Sequence, residues 1–232
     1  MSEVVLVTGG ASGIGAAVAR RFAQAGAKVV IADVNPAGAD VAGEIGGLFV
    51  PTDVASAQDN EAMVAAAVDA FGRLDVVHLN AGTGNGGVEF DLESYRRIMA
   101  VNADGTMYGM RAAVRGGARA IVVTSSLAGI APASFDPAYS ASKHAVIGLV
   151  RSFAAALPDV TVNAVCPGFV DTPMVAAFRE RLVEHGLAVA APDEVAAAVE
   201  AIVRGGETGG VWAVQGGQAP ELVTFPAVEL AR

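Results

Sequence analysis

Val4-Val5-Leu6-Val7-Thr8-Gly9-Gly10-Ala11-Ser12-Gly13-Ile14-Gly15 runs from an apolar strand into a turn with glycine at 9, 13 and 15. The run carries no charge, as expected of a strand covered on both faces. The glycines let the backbone approach a pyrophosphate, and the next helix presents free N–H groups and its positive dipole end. The spacing is not G-x-G-x-x-G, and glycines also serve tight turns and close helix packing, so the turn alone leaves two readings open. Support comes from the second apolar strand, Lys28-Val29-Val30-Ile31-Ala32-Asp33, which ends on an acid about 20 residues beyond the glycines, where a carboxylate can hydrogen-bond an adenosine ribose. The same carboxylate would repel a 2′-phosphate, which favours NAD over NADP.

Outward from this stretch, apolar runs alternate with helical patterns to the end of the chain, the pattern of an α/β, Rossmann-type, doubly wound parallel sheet with helices on both faces. Seven strands are predicted, at about 3–8, 28–33, 47–50, 74–79, 119–125, 160–166 and 210–215. Helices fit Gly13–Ala25, Ala55–Phe71, Leu92–Ala113, Pro137–Leu157, Met174–His185 and Pro192–Arg204. Pro137 and Pro192 stand where a first-turn proline is tolerated, and Gly26, Gly72 and Gly186 where a helix can stop. The 232 residues are expected to form a single domain, with a lid over about 173–191 and an irregular tail over about 216–232.

Fifteen Lys and Arg against 24 Asp and Glu give a net charge of −9, which argues against nucleic acid and anionic membrane as partners. No apolar run approaches the roughly 18 residues needed to cross a bilayer. The N-terminus enters a strand pattern directly with no secretion signal, so a cytoplasmic location is expected. Cys166 is the one cysteine, and His78, His144 and His185 are scattered, so neither a disulfide nor a metal site is expected.

In the second half, Ala138-Tyr139-Ser140-Ala141-Ser142-Lys143 places Tyr139 and Lys143 four residues apart, on one helical face. An ammonium beside a phenol stabilises phenolate, so a group that titrates near ~10 can exchange protons closer to neutrality. Ser125 and Ser126 close the strand beginning at Ala120, at the carboxyl end where open parallel sheets place their sites.

Together these motifs resemble the short-chain dehydrogenase/reductase family in its single-domain form, from Thr8 to about Gln215. The family's T-G-x-x-x-G-x-G turn matches Thr8, Gly9, Gly13 and Gly15; its Asp-Val pair matches Asp53 and Val54; its N-A-G segment matches Asn80, Ala81 and Gly82. Leu79 stands where an additional Asn is common, and is expected to alter strand support more than cofactor binding. The family's Ser lies thirteen residues before its Tyr, which selects Ser126. Asn102 matches the helix Asn that holds a water in a proton relay, and Pro167-Gly168-Phe169-Val170-Asp171-Thr172 matches the P-G-x-x-x-T segment that binds a carboxamide.

The resemblance implies hydride transfer between NAD(H) and a secondary alcohol or ketone, with Tyr139 as general acid/base, Ser126 orienting, Lys143 tuning and Asn102 relaying. The implied cofactor residues are Thr8, Gly9, Ser12, Gly13, Ile14, Gly15, Asp33, Asp53, Val54, Asn80, Ala81, Gly82, Tyr139, Lys143, Pro167, Gly168, Val170 and Thr172. Met174, Val175, Phe178, Leu182 and Leu187, with Phe90, Leu127, Phe135 and Phe169, are read either as an apolar pocket for a neutral small molecule or as core. Family members pair the Pro137–Leu157 helix and the Asn102 helix across subunits, which implies a homodimer or homotetramer. Two alternatives stand beside this reading. One is a non-catalytic dinucleotide-binding sensor or scaffold; the other is an NADPH-linked reductase of acyl-carrier substrates, which Asp33 and the missing basic docking patch disfavour.

Overall fold

The computed structural model describes residues 2–84 and 87–227. Among these, β1 (Val4–Thr8), β2 (Lys28–Asp33), β3 (Leu48–Pro51), β4 (Val76–Leu79), β5 (Ala120–Thr124), β6 (Thr161–Pro167) and β9 (Val211–Val214) run parallel in one sheet. An antiparallel edge strand, β10 (Glu221–Leu222), makes eight in the order β10-β9-β6-β5-β4-β1-β2-β3. A separate two-stranded parallel sheet joins β7 (Phe169–Val170) to β8 (Val189–Ala190).

Alternate residues of the central strands feed two apolar layers, as the pleat dictates. Val5 and Val7 face Phe22, Val41 and Val199 of helices α1 (Gly13–Gln24), α2 (Gly38–Ile45) and α8 (Pro192–Gly205). Val4 and Leu6 face Met63, Met110 and Val146 of α3 (Ala57–Phe71), α5 (Gly105–Arg115) and α6 (Pro137–Ala156). Both faces of the sheet are covered, which is why its strands read as unbroken apolar runs. Strand order reverses between β1 and β4, so the carboxyl ends of those strands open a crevice at the switch point.

The predicted strands and the parallel order hold, with four differences. Helix α2 was not expected, because eight residues that include two glycines and are followed by two more carry little helical propensity; packing of Val41 and Ala42 on the sheet overrides it. The expected long helix over Leu92–Ala113 is instead α4 (Leu92–Met99), a π-helical turn over Ala100–Asp104, and α5. The segment expected to be a lid is a 3₁₀ turn at Ala176–Phe178 followed by the short α7 (Arg179–Glu184), bracketed by β7 and β8. The tail, expected to be irregular, contains β10, and Val223 and Phe225 pack against the sheet's core. No helix among the described residues is long and apolar enough to cross a membrane.

Candidate active site

A cavity of about 470 Å³ opens along the carboxyl ends of β1, β2, β4, β5 and β6. Gly9, Ser12, Gly13, Ile14 and Asp33 line one end; Ser126, Tyr139 and Lys143 line the other, with Asp53, Val54, Asn80, Ala81, Gly82, Pro167, Gly168, Val170 and Thr172 along its walls. Met174 and Val175, just after Thr172, also line it. Residues far apart in the chain thus share one wall, because most of them stand at or just beyond the end of a parallel strand, while Tyr139 and Lys143 reach it from α6.

The turn after β1 is built by steric necessity. Gly9 takes φ of +65°, and a Cβ there would lie 2.9 Å from the Ala81 Cα. Gly13, at φ +51°, leaves a gap that a Cβ would close to 2.9 Å from the Thr172 methyl. A Cβ on Gly15 would strike the Gly9 carbonyl oxygen. Ser12 caps α1 in extended backbone without a side-chain bond to it, and the opening turn of the helix lines the cavity. The Asp33 carboxylate accepts from the Ala11 N–H and the Asn35 N–H, both at 2.9 Å, which ties the end of β2 to this turn. Thr8 and Gly15 lie behind the wall. The Thr8 hydroxyl accepts from the N–H groups of Asn80 and Ala81 at 2.9 and 3.1 Å.

At the other end, Asp136 caps α6 by accepting from the Tyr139 N–H at 3.0 Å, and Pro137 opens the helix. These fix the register that presents Tyr139 and Lys143 to the cavity. The Ser126 side chain stands close enough to the Tyr139 phenol to lower its pKa. The Ser125 hydroxyl instead donates to the Lys143 carbonyl at 2.9 Å, so the two serines do different things one residue apart. Ser126 Oγ also accepts from the Ala128 N–H at 3.1 Å.

Lys143 is buried, and its ammonium donates to the Thr124 carbonyl at 2.9 Å while lying 5.5 Å from the centroid of the Tyr139 ring. Burial brings its pKa down to about 8. The phenol moves the other way from the sequence expectation. Burial holds the Tyr139 pKa above its ordinary value, against the lowering effect of the nearby Ser126 side chain, with Asp136 and Cys166 nearby adding to the rise. The ammonium meets the ring and a backbone carbonyl rather than the phenol oxygen, so desolvation outweighs the charge effect.

Asn102 lies in the π-helical turn, buried behind the cavity rather than lining it. Its amide donates to the Thr83 carbonyl at 2.8 Å and the Ser142 hydroxyl at 2.9 Å, and its Oδ1 accepts from the Thr83 N–H at 2.8 Å. A Cβ on Gly82 would sit 3.3 Å from Lys143 Nζ and 3.4 Å from Asn102 Oδ1, so these groups border one point of the cavity floor. The widened turn releases carbonyls from the regular ladder, and that of Asn102 accepts the Thr106 hydroxyl at 2.7 Å.

Several expectations about the surroundings change. Of the proposed apolar pocket only Met174 and Val175 line the cavity; Leu182 is buried, Phe178 packs edge-on against Phe169 at 6.4 Å, and Phe90 stacks on Tyr95 at 6.1 Å. Arg179 pairs with Asp171 at 3.0 Å across the foot of the lid. Arg97 of α4 lines the cavity and was not singled out by sequence; it stands one turn before Val101, another lining residue, and that spacing was the available signal. Leu79 packs into the core toward α5, and Cys166 is fully buried with its pKa pushed up to about 12, so its thiol is protonated.

The short chain dehydrogenase family model matches residues 3–183. A 3beta-hydroxysteroid dehydrogenase 2 from Eggerthella lenta is 37% identical over 204 residues, covering 81% of this chain and 78% of that protein. A cis-4-hydroxycyclohexanecarboxylate dehydrogenase from Sinomonas cyclohexanicum is 36% identical, covering 93% and 96%. Among solved structures, a 3-ketoacyl-(acyl-carrier-protein) reductase from Brucella melitensis, in complex with NADH, superposes with a TM-score of 0.87 at 31% identity, covering 93% of this chain and 97% of that one. The chain belongs to the short-chain dehydrogenase/reductase family.

Proposed function

We propose that this chain is an NAD-dependent oxidoreductase of secondary alcohols and ketones, working as a single domain with the segment after Thr172 as its substrate lid. The observation that carries this reading is the meeting of Ser126, Tyr139 and Lys143 at one end of a cavity whose other end is the glycine turn and Asp33.

The residues present fit a nicotinamide dinucleotide. The turn at Gly9 and Gly13 has room only for backbone, α1 opens toward the cavity without a side-chain cap, and Asp33 and Asp53 carry carboxylates at the wall. The NADH named with the Brucella protein supports the same assignment. Bound there, the dinucleotide would supply the acceptor or donor of hydride. In our reading Gly9, Ser12, Gly13 and Ile14 hold its pyrophosphate, with Thr8 and Gly15 shaping that turn from behind. Asp33 takes the adenosine ribose, Asp53 and Val54 flank the adenine, and Asn80, Ala81 and Gly82 form the floor. Pro167, Gly168, Val170 and Thr172 orient the carboxamide, and Lys143 takes the second ribose.

Tyr139 is the proton donor or acceptor at the substrate oxygen, with Ser126 as a second hydrogen-bonding group on that oxygen. A phenol held protonated by burial keeps its proton until the substrate oxygen takes it. Lys143, ammonium below about pH 8, supplies positive charge beside the ring, and Asn102 holds the chain of groups behind it. The substrate we favour is a neutral or apolar secondary alcohol, given Met174 and Val175 at the cavity; the hydroxysteroid named in one relative fits that class, whereas the hydroxycyclohexanecarboxylate named in another is a ring alcohol that carries a charge. We also infer a homodimer or homotetramer, supported by Met107 of α5 and the small residues Ala141 and Gly148 of α6, all exposed. Light scattering of the purified protein showing monomer alone would refute it.

The test is an absorbance assay of a panel of ring alcohols, ketones and acyl thioesters with NAD and NADP. Turnover of alcohols with NAD is expected; a chain that binds NAD and turns over nothing is a sensor, and preference for NADPH with thioesters is the acyl-carrier reading. Asp33→Ala should raise the use of NADP relative to NAD, because the lost carboxylate no longer repels a 2′-phosphate.

A further inference from the structure

His78 lies in the middle of β4, fully buried, between Val7 of β1 and Val122 of β5 in register. A polar ring in the centre of an apolar sheet costs stability unless it is hydrogen-bonded, and it takes no part in the proton transfer at Tyr139. Its Nε2 lies 2.9 Å from the Thr124 hydroxyl, and that hydroxyl donates to Asn80 Oδ1 at 3.1 Å. The Asn80 amide then donates to the carbonyls of Thr8 and Gly9, at 3.2 Å each. The Thr124 carbonyl holds the Lys143 ammonium.

Hydrogen bookkeeping fixes the direction of this chain. Asn80 Oδ1 can only accept, and its amide nitrogen is spent on the two carbonyls, so the single Thr124 proton goes to Asn80. The Thr124 oxygen must then accept from His78, which places the imidazole proton on Nε2. Nδ1 is left as a buried acceptor without a hydrogen-bond partner. The opposite tautomer would bury an unpaired N–H and leave Asn80 Oδ1 without a donor, the costlier arrangement. Burial keeps the ring neutral, with its pKa lowered to about 3, so the direction is constant across ordinary pH.

We propose that His78 is a positioning residue for the dinucleotide turn, donating from Nε2 to Thr124 so that Thr124 must donate to Asn80 and hold the Asn80 amide against the Thr8 and Gly9 carbonyls. The inference rests on the reading of the cavity as a dinucleotide site. Its effect falls on cofactor binding while costing the fold a buried unpaired nitrogen.

Three proteins test it: wild type, His78→Leu, which removes the donor, and His78→Gln, whose amide nitrogen reaches where Nε2 stood. Imidazole ¹⁵N chemical shifts of the wild type should show the proton on Nε2; a proton on Nδ1 overturns the proposal without any variant. In calorimetric titration with NAD, His78→Leu should bind about fivefold to tenfold more weakly, as expected for one lost buried hydrogen bond, and His78→Gln within about twofold of wild type. The melting temperature of His78→Leu should not fall. Unchanged NAD binding in His78→Leu, or weakened binding with a matching loss of melting temperature and no rescue by His78→Gln, overturns the inference alone. Should His78→Leu fail to fold, His78→Gln decides: weakened NAD binding in it overturns the proposal. Failure of the wild type to bind NAD removes the dinucleotide reading and this inference with it.

Discussion

Two parts of the cavity wall are held in different ways. The turn of Gly9–Gly15, Asn80 and Lys143 is fixed by buried and half-buried hydrogen bonds and by backbone approaches too close for a side chain. The segment between β7 and β8, our proposed lid, has two short helical turns, one ion pair with both partners about half exposed, and Met174, Val183 and Leu187 at 51%, 55% and 46% exposure. The difference teaches where each kind of specificity resides. A part recognised through backbone geometry tolerates almost no substitution, whereas a segment tethered at its two feet can change its side chains without disturbing the sheet.

Four measurements would break or sharpen this contrast. The largest effect is expected from Tyr139→Phe at the fixed end: turnover should fall by about 10²- to 10⁴-fold while NADH binding is retained, and near-normal turnover would sink the assignment of the phenol. Next is Gly15→Ala, which adds a carbon where the Gly9 carbonyl stands; urea unfolding should show a loss of about 1–3 kcal/mol with weakened NAD binding. A variant as stable as wild type would mean that the turn gives way more easily than its contacts imply.

The third concerns pH. The folded pKa of Lys143 is lowered, to about 8 from an unfolded 10.5, so below about pH 8 folding carries the cost of burying an ammonium. Between about pH 8 and 10 the unfolded chain binds more protons than the folded one at this site, and stability contributed by the group rises with pH. Unfolding free energies of wild type relative to Lys143→Met should therefore rise across that window; a flat difference would mean that the ammonium is better solvated than its surroundings indicate. The smallest effect is expected from Met174→Ala in the lid, which should shift KM for apolar alcohols by about threefold to tenfold, the value of one or two methylenes, while NAD affinity stays within about twofold. If instead NAD affinity falls and alcohol KM is steady, the lid belongs functionally to the cofactor end.

Much of this arrangement was legible in the sequence because a parallel strand delivers the residues after it to a known edge of the sheet. Val4–Thr8 and Ala120–Thr124 are apolar on both faces, so strand ends could be located within a residue or two, and Gly9, Asp33, Ser126 and Tyr139 then fell at one edge. How helices break and how groups turn could not be read. The widening at Ala100–Asp104 lies in a sequence with ordinary helical residues, and it depends on side-chain bonds from Asn102 to Thr83 and Ser142, both distant in the chain. The Tyr139–Lys143 spacing placed both groups on one face but carried no information on whether the ammonium would point at oxygen, ring or carbonyl. Helix α2 escaped notice for the same reason, since its place is set by packing rather than by any local pattern.

The antiparallel strand β10 has a consequence at the outer margin of the sheet. With β10 in place, the Val211–Val214 strand is bonded on both sides, and the margin is a two-residue strand beginning with the charged Glu221. The opposite margin, β3, is four residues long and ends in Pro51, which has no N–H to offer. Among the described residues neither border presents a long row of free peptide groups, so the wide, largely apolar sheet offers a neighbouring molecule little template there for fibre growth.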